Sequence, residues 1–487
     1  MKSSSVASRR LFVFNIALSS MLLGAIITVF VFSCTTPIRN SRSVLAQDRT
    51  RLSDDLLGSI PGFRSVAQHV LPSVVEVRVS GFGEEDSRES FEFFFGPRGN
   101  DSLPGNPGIG SGVVVDRIGT QLYVVTNDHV VGGAAEIVVV TNDGDEYDAT
   151  LVGADPRRDL AVLVFEASDP EVIPIARFGD SDEMFVGDWV VAVGNPFGFA
   201  STVTAGIVSA KERLGPEGNI SDFIQTDASI NQGSSGGPLV NVNGEVVGIN
   251  TWITTPTGIN VGLGFAIPIN NVKKAIFDII QFGEVVYGWF GVEAEDITDA
   301  VSSDLGYAAR DGALIAQVFG NSPASDGGVL PGDIVISLNG AELRDYLHLV
   351  RTVGDLIPGA VADLTLFRSG EVITRSVTIG RRRSDADIGR ANREMWPGMA
   401  VQRVDQSLRS ALGLPRGATG IFVSEVKPAA PPQAAGIRRG DVVVAINSES
   451  LENLLDFYEA VNDTEVREFE VEVLRRGVTL TFSLRRG

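Results

Sequence analysis

The feature that most constrains the fold of this chain is a repeat in its C-terminal half. Two strand-like runs recur at an offset of 108 residues: 312–318 with 332–339, then 420–426 with 440–447. A helix-like segment follows in each copy, first at 346–356 and then at 454–461, and each copy ends in strand-like sequence. A period near one hundred residues indicates two copies of a small domain, because solenoid repeats are much shorter.

Ahead of the repeat, residues 61–283 read as an all-β region. Short apolar runs such as VVEVRV, LAVLVF and EVVGIN alternate with turn residues. The pair Asn243-Gly244 is a strong hairpin signal. One helical run, 270–282, closes the region. Many short strands with regular turns predict a sandwich or barrels.

Composition excludes several functional classes. The 487 residues carry a formal net charge of −21, which disfavours nucleic acid as a partner, because phosphate binding needs a basic surface. The single cysteine, Cys34, excludes an intrachain disulfide. With only three histidines in the chain, we expect no zinc site and no other metal. The sequence also lacks the GxxxxGK[ST] motif of nucleotide-binding loops, so we expect no cofactor.

The N-terminus predicts membrane targeting. Basic residues precede an uncharged stretch, 11–33, that is long enough to span a bilayer as a helix. Because the basic end should stay cytoplasmic, the rest of the chain should lie outside the bacterial inner membrane. We therefore predict a single-pass anchor or signal segment over 1–35 and a polar linker over 36–60. Lipidation of Cys34 and cleavage of an ordinary signal peptide are the alternatives.

Three residues form a candidate nucleophilic site. Ser235 lies in the glycine-rich run NQGSSGGPLV, His129 in TNDHVV and Asp159 in DPRRDLAVL. A serine hydroxyl needs a base to take its proton and a third group to orient that base. The chain order His, Asp, Ser is the order of the chymotrypsin-type proteases.

Five motifs occur together in a fixed order: TNDHVV, DPRRDLAVL, GNPFG, TDASINQGSSGGPL and GLGFAIP. With them, the chain from about Ser65 onward resembles the HtrA/Deg serine proteases that carry two PDZ domains. One departure is Ser234, where the family usually has asparagine. The pair Gly236-Gly237 nevertheless selects Ser235 as the nucleophile, because the family pattern places the nucleophile directly before it.

The resemblance implies a mainly β fold, a chymotrypsin/trypsin-like double β-barrel followed by two PDZ domains. It implies a protease domain over 61–283, a first PDZ domain (PDZ1) over 284–381, a linker over 382–395 and a second PDZ domain (PDZ2) over 396–487. The activity it implies is that of a serine endopeptidase.

Catalytic roles follow from the same motifs. Ser235 should attack the scissile carbonyl, His129 should act as the base, and Asp159 should hold the imidazole in the correct tautomer. The turn formed by Gly233, Ser234 and Ser235 should supply the oxyanion hole, with the backbone N–H groups of Gly233 and Ser235 as donors.

Substrate preference is partly encoded. In trypsin-like enzymes the residue six before the nucleophile lies at the base of the primary pocket, and here it is the uncharged Ser229. We expect no preference for basic P1 residues, and the resemblance implies small or medium aliphatic ones. Asn250 and Thr251 are predicted to line the same pocket. Segments 211–220 and 250–260 resemble the family's regulatory and pocket loops.

The PDZ domains are predicted to bind peptides. A PDZ domain adds a peptide strand to a sheet edge and holds its carboxylate on backbone N–H groups. Residues Trp289, Phe290, Gly291 and Val292 should form this loop in PDZ1. PDZ2 offers the less typical run PGMAV at 397–401, which is compatible with peptide binding or with an assembly or spacer role. We interpret His348 as a groove or surface residue.

The function predicted from these features is ATP-independent cleavage of misfolded or unfolded exported proteins in the cell envelope. The insertion at 82–108, with its run FEFFFG, is either a locally packed loop or, as the family resemblance suggests, a contact between protomers. We favour the contact, and with it a homotrimer or larger homo-oligomer. Two alternatives stay open. One is a chaperone or scaffold that binds peptides through its PDZ domains, and the other is a dedicated regulatory protease of an envelope stress response.

Overall fold

The computed structural model describes residues 62–81, 108–194, 201–215, 219–231, 233–253, 262–415, 417 and 419–486. The predicted membrane segment and nearly all of the predicted protomer-contact insertion lie outside these residues. Within the described part, no helix combines the length and apolar character needed to cross a membrane.

Six strands close the first barrel in the order β1-β2-β3-β6-β5-β4. Valine, leucine and alanine side chains at alternate positions fill its interior, as the period-2 pattern predicts. The elements are α1 (Phe63–Val70), β1 (Val74–Ser80), β2 (Gly108–Ile118), β3 (Gln121–Thr126), α2 (Asp128–Val131), β4 (Glu136–Val140), β5 (Glu146–Asp155) and β6 (Leu160–Glu166).

A second closed barrel follows in the order β10-β11-β12-β9-β8-β7. Its elements are β7 (Trp189–Gly194), β8 (Thr202–Leu214), β9 (Asp222–Thr226), β10 (Pro238–Asn241), β11 (Val246–Ile253) and β12 (Gly264–Pro268). Helix α3 (Ile269–Phe282) closes the region, one residue longer than the predicted 270–282, and ends at Gly283 with φ +78°. The two barrels confirm the predicted double-barrel fold.

The first repeat copy folds around the sheet β14-β15-β16-β18-β19, with β14 at its edge. Its predicted strands and helix are present, together with a short helix, α4, that the sequence pattern did not mark. The elements are β13 (Gly288–Trp289), β14 (Val292–Glu295), α4 (Asp299–Leu305), β15 (Ala313–Phe319), α5 (Pro323–Asp326), β16 (Ile334–Leu338), β17 (Ala341–Glu342), α6 (Tyr346–Asp355), β18 (Val361–Arg368), β19 (Glu371–Thr378) and β20 (Gly380–Arg381).

The second copy repeats this order as the sheet β22-β23-β24-β26-β27, with β22 at its edge. The predicted linker is partly ordered, because α7 lies within it and β21 pairs with β15 of PDZ1. The elements are α7 (Asp385–Ala391), β21 (Met395–Trp396), β22 (Met399–Arg403), α8 (Gln406–Ala411), β23 (Ile421–Val426), α9 (Pro431–Ala435), β24 (Val442–Ile446), β25 (Glu449–Ser450), α10 (Leu454–Asn462), β26 (Glu468–Arg475) and β27 (Val478–Arg485).

Candidate active site

The candidate base, His129, is held by the candidate aspartate. Strand β3 ends at Thr126, and the chain turns into α2 with His129 at its second position. The Nδ1 atom of His129 lies 3.0 Å from Oδ1 and 2.9 Å from Oδ2 of Asp159, and the His129 backbone N–H donates to Oδ1 over 3.0 Å. A carboxylate on Nδ1 leaves Nε2 as the nitrogen that can accept a proton, which is the tautomer a general base needs.

Asp159 is fixed from several directions in the buried loop between β5 and β6. Its φ of +57° is unusual for a residue other than glycine. The hydroxyl of Thr251 donates to Oδ2 over 2.5 Å, and the side-chain amide of Asn127 donates to the Asp159 carbonyl over 2.8 Å. These bonds hold the carboxylate in line with the imidazole.

The candidate nucleophile, Ser235, lies on the buried turn that leads into β10. Its hydroxyl donates to the carbonyl of Thr251 over 2.9 Å. Thr251 therefore contacts Asp159 through its side chain and Ser235 through its backbone. Because a hydroxyl has one proton, Ser235 must rotate away from Thr251 to donate to His129. Catalytic hydrogen bonds are often poorly aligned until substrate binds.

The turn before Ser235 contains the predicted oxyanion donors. Gly233 has φ +92°, a conformation that glycine adopts readily. The N–H of Ser234 donates to the carbonyl of Asn231 over 2.9 Å, so this N–H group is already hydrogen-bonded within the turn. The N–H groups of Gly233 and Ser235 have no acceptor among the described residues. These two groups are therefore the ones available to a developing oxyanion.

Ser111, a buried serine on β2, fixes the position of this turn through hydrogen bonds. Its hydroxyl donates to the Gly233 carbonyl over 2.6 Å, and its backbone N–H donates to the Ser235 carbonyl over 2.8 Å. Its own carbonyl accepts from Thr126 Oγ1 over 2.7 Å. A Cβ added at Gly236 would lie 2.1 Å from the Ser111 carbonyl oxygen, so only glycine fits there. No sequence motif indicated these hydrogen bonds of Ser111.

The three predicted pocket residues lie at different depths. Ser229 is exposed, and its carbonyl accepts from Thr204 Oγ1 over 2.8 Å. Asn250 is fully buried, and its amide donates to the carbonyl of Pro238 over 3.1 Å. Thr251 contacts Asp159 and Ser235 as described. Of the three, only Ser229 presents an exposed side chain, whereas Asn250 and Thr251 support the site from beneath.

The predicted carboxylate loop of PDZ1 connects β13 to β14. Phe290 is buried, and Gly291 has φ +86°. The carbonyls of this loop are bound within the domain, since Ala324 N–H donates to Phe290 and Phe319 N–H donates to Gly291, each over 2.9 Å. The loop leads directly into the edge strand β14, which is the arrangement to which a peptide strand adds.

Comparison with known proteins decides the family. The trypsin-like peptidase domain family matches residues 110–249, and PDZ domain families match 288–379 and 391–473. A DegP-like periplasmic serine endoprotease of Brucella melitensis is 35% identical to this chain, over 96% of the chain and 95% of the relative. The chain belongs to the HtrA/Deg family of serine endopeptidases. The resemblance drawn from the five motifs is thereby confirmed.

Other HtrA/Deg proteins give the same result. The periplasmic pH-dependent serine endoprotease DegQ of Escherichia coli is 37% identical, over 82% of this chain and 86% of DegQ. The periplasmic serine endoprotease DegP of Salmonella typhimurium is 34% identical, over 91% of this chain and 93% of DegP. The solved structure of the HtrA-type protease AlgW with tripeptide has a TM-score of 0.56 at 34% identity, covering 67% of this chain and 99% of AlgW.

In this HtrA protease the loop that carries Asp159 also contacts PDZ1. The buried guanidinium of Arg158 donates to Asp355 on α6 over 2.6 Å, and Tyr287 donates its hydroxyl to Asp155 over 2.5 Å. Burial raises the pKa of both Asp155 and Tyr287. The guanidinium of Arg157 lies 4.8 Å from the centre of the Tyr287 ring. The charged run DPRRD was interpreted only for its last residue, and its two arginines were the missed signal.

Asp128, the residue before the candidate base His129, has a raised pKa. Burial, and then the charge of Asp159, raise the pKa of Asp128 to about 6. His348, on α6, is partly buried, and burial lowers its pKa, as do Arg344 and Arg351. His348 thus lies on the PDZ1 helix where it was predicted.

Proposed function

We propose that this HtrA protease cuts unfolded exported proteins in the bacterial periplasm without ATP, by acyl transfer through Ser235. His129 takes the proton of Ser235 and later donates it to the leaving amine, while Asp159 orients and stabilises the imidazolium. The observation that carries the proposal is the hydrogen-bonded connection of Asp159 to His129 and, through Thr251, to Ser235.

The backbone N–H groups of Gly233 and Ser235 stabilise the oxyanion of the tetrahedral intermediate, since both are free of acceptors among the described residues. A single oxyanion donor is typically worth about two to three orders of magnitude in rate. With the uncharged Ser229 at the base of the pocket, basic P1 side chains gain no ion pair, and the family resemblance supports small or medium aliphatic P1 side chains.

The relatives named periplasmic, together with the basic and apolar N-terminus, support a periplasmic catalytic part. We include in the proposal an inner-membrane anchor over residues 1–35 and a tether over 36–60, with a lipid on Cys34 as the alternative anchor. Assembly as a homotrimer or larger homo-oligomer, and the domain limits 61–283, 284–381 and 396–487, belong to the same proposal.

PDZ1 binds the C-termini of substrates or activators along β14. Two ion pairs join PDZ1 to the protease domain near the predicted regulatory loop 211–220. Arg344, just before helix α6, pairs with Glu212 within the loop, and Arg351 on α6 lies 3.6 Å from Asp222, just after the loop. These contacts give peptide binding at PDZ1 a physical route to the protease loops. They favour a second candidate, a dedicated regulatory protease of an envelope stress response, whose cleavage would depend on a peptide signal.

The experiment is cleavage of an unfolded protein by the full chain, with Ser235→Ala against the matched neighbour Ser234→Ala. We expect Ser235→Ala to lower the rate by at least three orders of magnitude, and Ser234→Ala to retain most activity. Client binding that persists in Ser235→Ala would add a chaperone role. Equal loss in both variants would contradict Ser235 as the specific nucleophile.

Peptide dependence separates the two protease candidates. General degradation predicts substantial cleavage of an unfolded protein without any added peptide. Regulated cleavage predicts low activity that rises at least tenfold when a peptide with a hydrophobic C-terminus is added. The same measurement on a chain that lacks residues 284–487 should retain some peptide hydrolysis if the protease domain is active by itself.

A further inference from the structure

One face of the PDZ1 sheet is packed against PDZ2. On β15 and β16, Ala313, Ile315 and Val335 belong to the core of PDZ1 itself, whereas Leu314 and Ile334 belong to the core that contains PDZ2. Successive strand residues face opposite sides of a sheet. Strand β15 and the start of β16 are therefore buried on both faces, which explains why all seven residues of β15 are buried.

Helix α4 of PDZ1 contacts both the end of the edge strand β22 and the start of helix α10 of PDZ2. The fully buried carboxylate of Asp304 accepts from Arg403, at the end of β22, over 2.6 Å. It also accepts from the backbone N–H of Leu454, the first residue of α10, over 3.2 Å. Val301 and Leu305 belong to the same buried cluster as Leu454.

The Asp304 contact requires these particular donors because the carboxylate is buried. An uncompensated buried carboxylate would cost several kcal/mol, so Asp304 is tolerated there only with its two donors in place. One donor comes from β22 and the other from α10, and one carboxylate therefore joins strand and helix.

PDZ1 also contacts the segment that leads into the PDZ2 groove. Trp396, in strand β21, pairs with Val318 of β15, and its indole N–H donates to the carbonyl of Val461, near the end of α10, over 2.9 Å. The next residue, Pro397, has no backbone N–H, whereas its counterpart in PDZ1 is Phe290. The PDZ2 loop thus has one backbone N–H fewer than the PDZ1 loop with which to bind a terminal carboxylate.

Two further contacts join the domains beside the groove. The side-chain amide of Asn462, the last residue of α10, donates to the carbonyl of Pro331 over 2.7 Å. The ammonium of Lys427 lies 3.1 Å from the carboxylate of Glu293 on β14. PDZ1 therefore contacts the loop, the edge strand and the helix that together define the PDZ2 groove.

The structure assigns helix α4 of the same chain as the occupant of the PDZ2 groove. PDZ2 is a docking site that fixes PDZ1, and it binds no free peptide C-terminus while α4 is docked. This assignment goes beyond the proposed proteolysis and does not depend on it. Its consequence is that PDZ1 alone binds peptides in the docked state.

The test is hydrogen exchange, measured by mass spectrometry on the full chain carrying Ser235→Ala to prevent self-cleavage. In this background Asp304→Lys sets a cation against Arg403 and the α10 N-terminus. We expect amide exchange in β22 and in the first turn of α10 to rise at least tenfold, while the β18–β19 hairpin stays unchanged as an internal reference for folding.

The matched control is Asp299→Lys, the same charge change at an exposed position of the same helix. We expect it to leave β22 and α10 protected. Adding Arg403→Glu to Asp304→Lys should restore part of the protection. Unchanged exchange in Asp304→Lys, equal effects of the two lysine variants, or unprotected β22 amides in the parent chain would each overturn the assignment.

A second arm distinguishes the same chain from a second copy. Carbodiimide should join Lys427 to Glu293 in a co-assembled mixture of unlabelled and ¹⁵N-labelled chains. Cross-links confined to light–light and heavy–heavy pairs support docking within one chain. Light–heavy pairs at this position would make a second copy the occupant and overturn the assignment.

Discussion

At the scale of single residues, Ser111 shows how the proposed catalytic turn is positioned by a side chain outside the proposed triad. Its hydroxyl fixes the Gly233 carbonyl over 2.6 Å. Ser111→Ala should lower kcat about fivefold and leave KM within about twofold, because a lost hydrogen bond is worth about 1 kcal/mol and loosens the oxyanion donors rather than the substrate pocket. Steady-state kinetics on a peptide substrate measure both constants.

The control for Ser111 is Ser73→Ala, which removes another buried serine hydroxyl that donates to a backbone carbonyl, that of Val70, over 2.7 Å. We expect this variant to lose stability without a change in kcat. If KM rose and kcat stayed constant in Ser111→Ala, the positioning role would be wrong.

Asp128 gives the folded protein a dependence on pH. Its pKa is raised to about 6 in the folded state, above the value near 4 of an unfolded aspartate. The folded state therefore binds the proton more tightly, and the free energy of unfolding falls as pH rises from 4 to 6. Asp128→Asn should be more stable than wild type by about 2–3 kcal/mol at pH 7, since one pKa unit is worth about 1.4 kcal/mol, and about equal to it at pH 4. Denaturant unfolding at both pH values measures this, and Asp148→Asn, at an exposed position, is the control for removal of a surface charge.

The residues of the proposed triad could be predicted from sequence because each lies in a distinctive motif. Ser111 and Thr251 could not be assigned their contacts in the same way. Their partners include backbone carbonyls and a carboxylate brought together by two barrels, and a backbone carbonyl has no signature in the residue type. Thr251 was predicted only as a pocket residue, and its contact with Asp159 was not anticipated.

At the scale of elements, periodic segments were predicted closely and contact-dependent ones were not. The predicted helix 346–356 is Tyr346–Asp355, and the predicted helix 454–461 is Leu454–Asn462. Helix α4 has only seven residues, too few for a periodic signal. Strand β21 spans the last residue of the predicted linker and the first residue of PDZ2. It forms because β15 offers it a pairing partner, and such pairing depends on the tertiary fold.

The PDZ1 loop contains a glycine whose replacement is predicted to weaken peptide binding. A Cβ at Gly291 would lie 2.3 Å from Cβ of Ser322, and its φ is +86°. Gly291→Ala should therefore weaken the binding of a fluorescent peptide with a free C-terminal carboxylate at least tenfold. Gly340→Ala is the matched control, with φ +80° but open space around it. It should lose about 1 kcal/mol of stability through φ alone and bind the peptide normally; equal binding by both variants would contradict the loop assignment.

At the scale of the whole molecule, the repeat predicted two copies of one domain but not how they are used. The copies have matching sheets, yet one packs on the protease domain through Arg158 and Tyr287 while the other packs on the first copy. These interfaces are built from side chains that differ between the copies, and a repeat pattern reports only what the copies share. The barrels and PDZ folds were thus predictable, whereas the interfaces between them were not.

The last prediction concerns the junction of the protease domain and PDZ1. Asp355→Ala leaves the buried guanidinium of Arg158 without its carboxylate, and an uncompensated buried charge is strongly destabilising. Because Asp355 itself is partly exposed, we expect a loss of about 1–3 kcal/mol in the free energy of unfolding. The cleavage rate should fall as well, since Arg158 directly precedes Asp159. Asp385→Ala, which removes an equally simple but exposed ion pair with Arg382, should cost less than about 0.5 kcal/mol and leave cleavage unchanged. Thermal unfolding and peptide cleavage measured on both variants decide the matter, and equal small losses would mean that Arg158 does not couple PDZ1 to the catalytic loop.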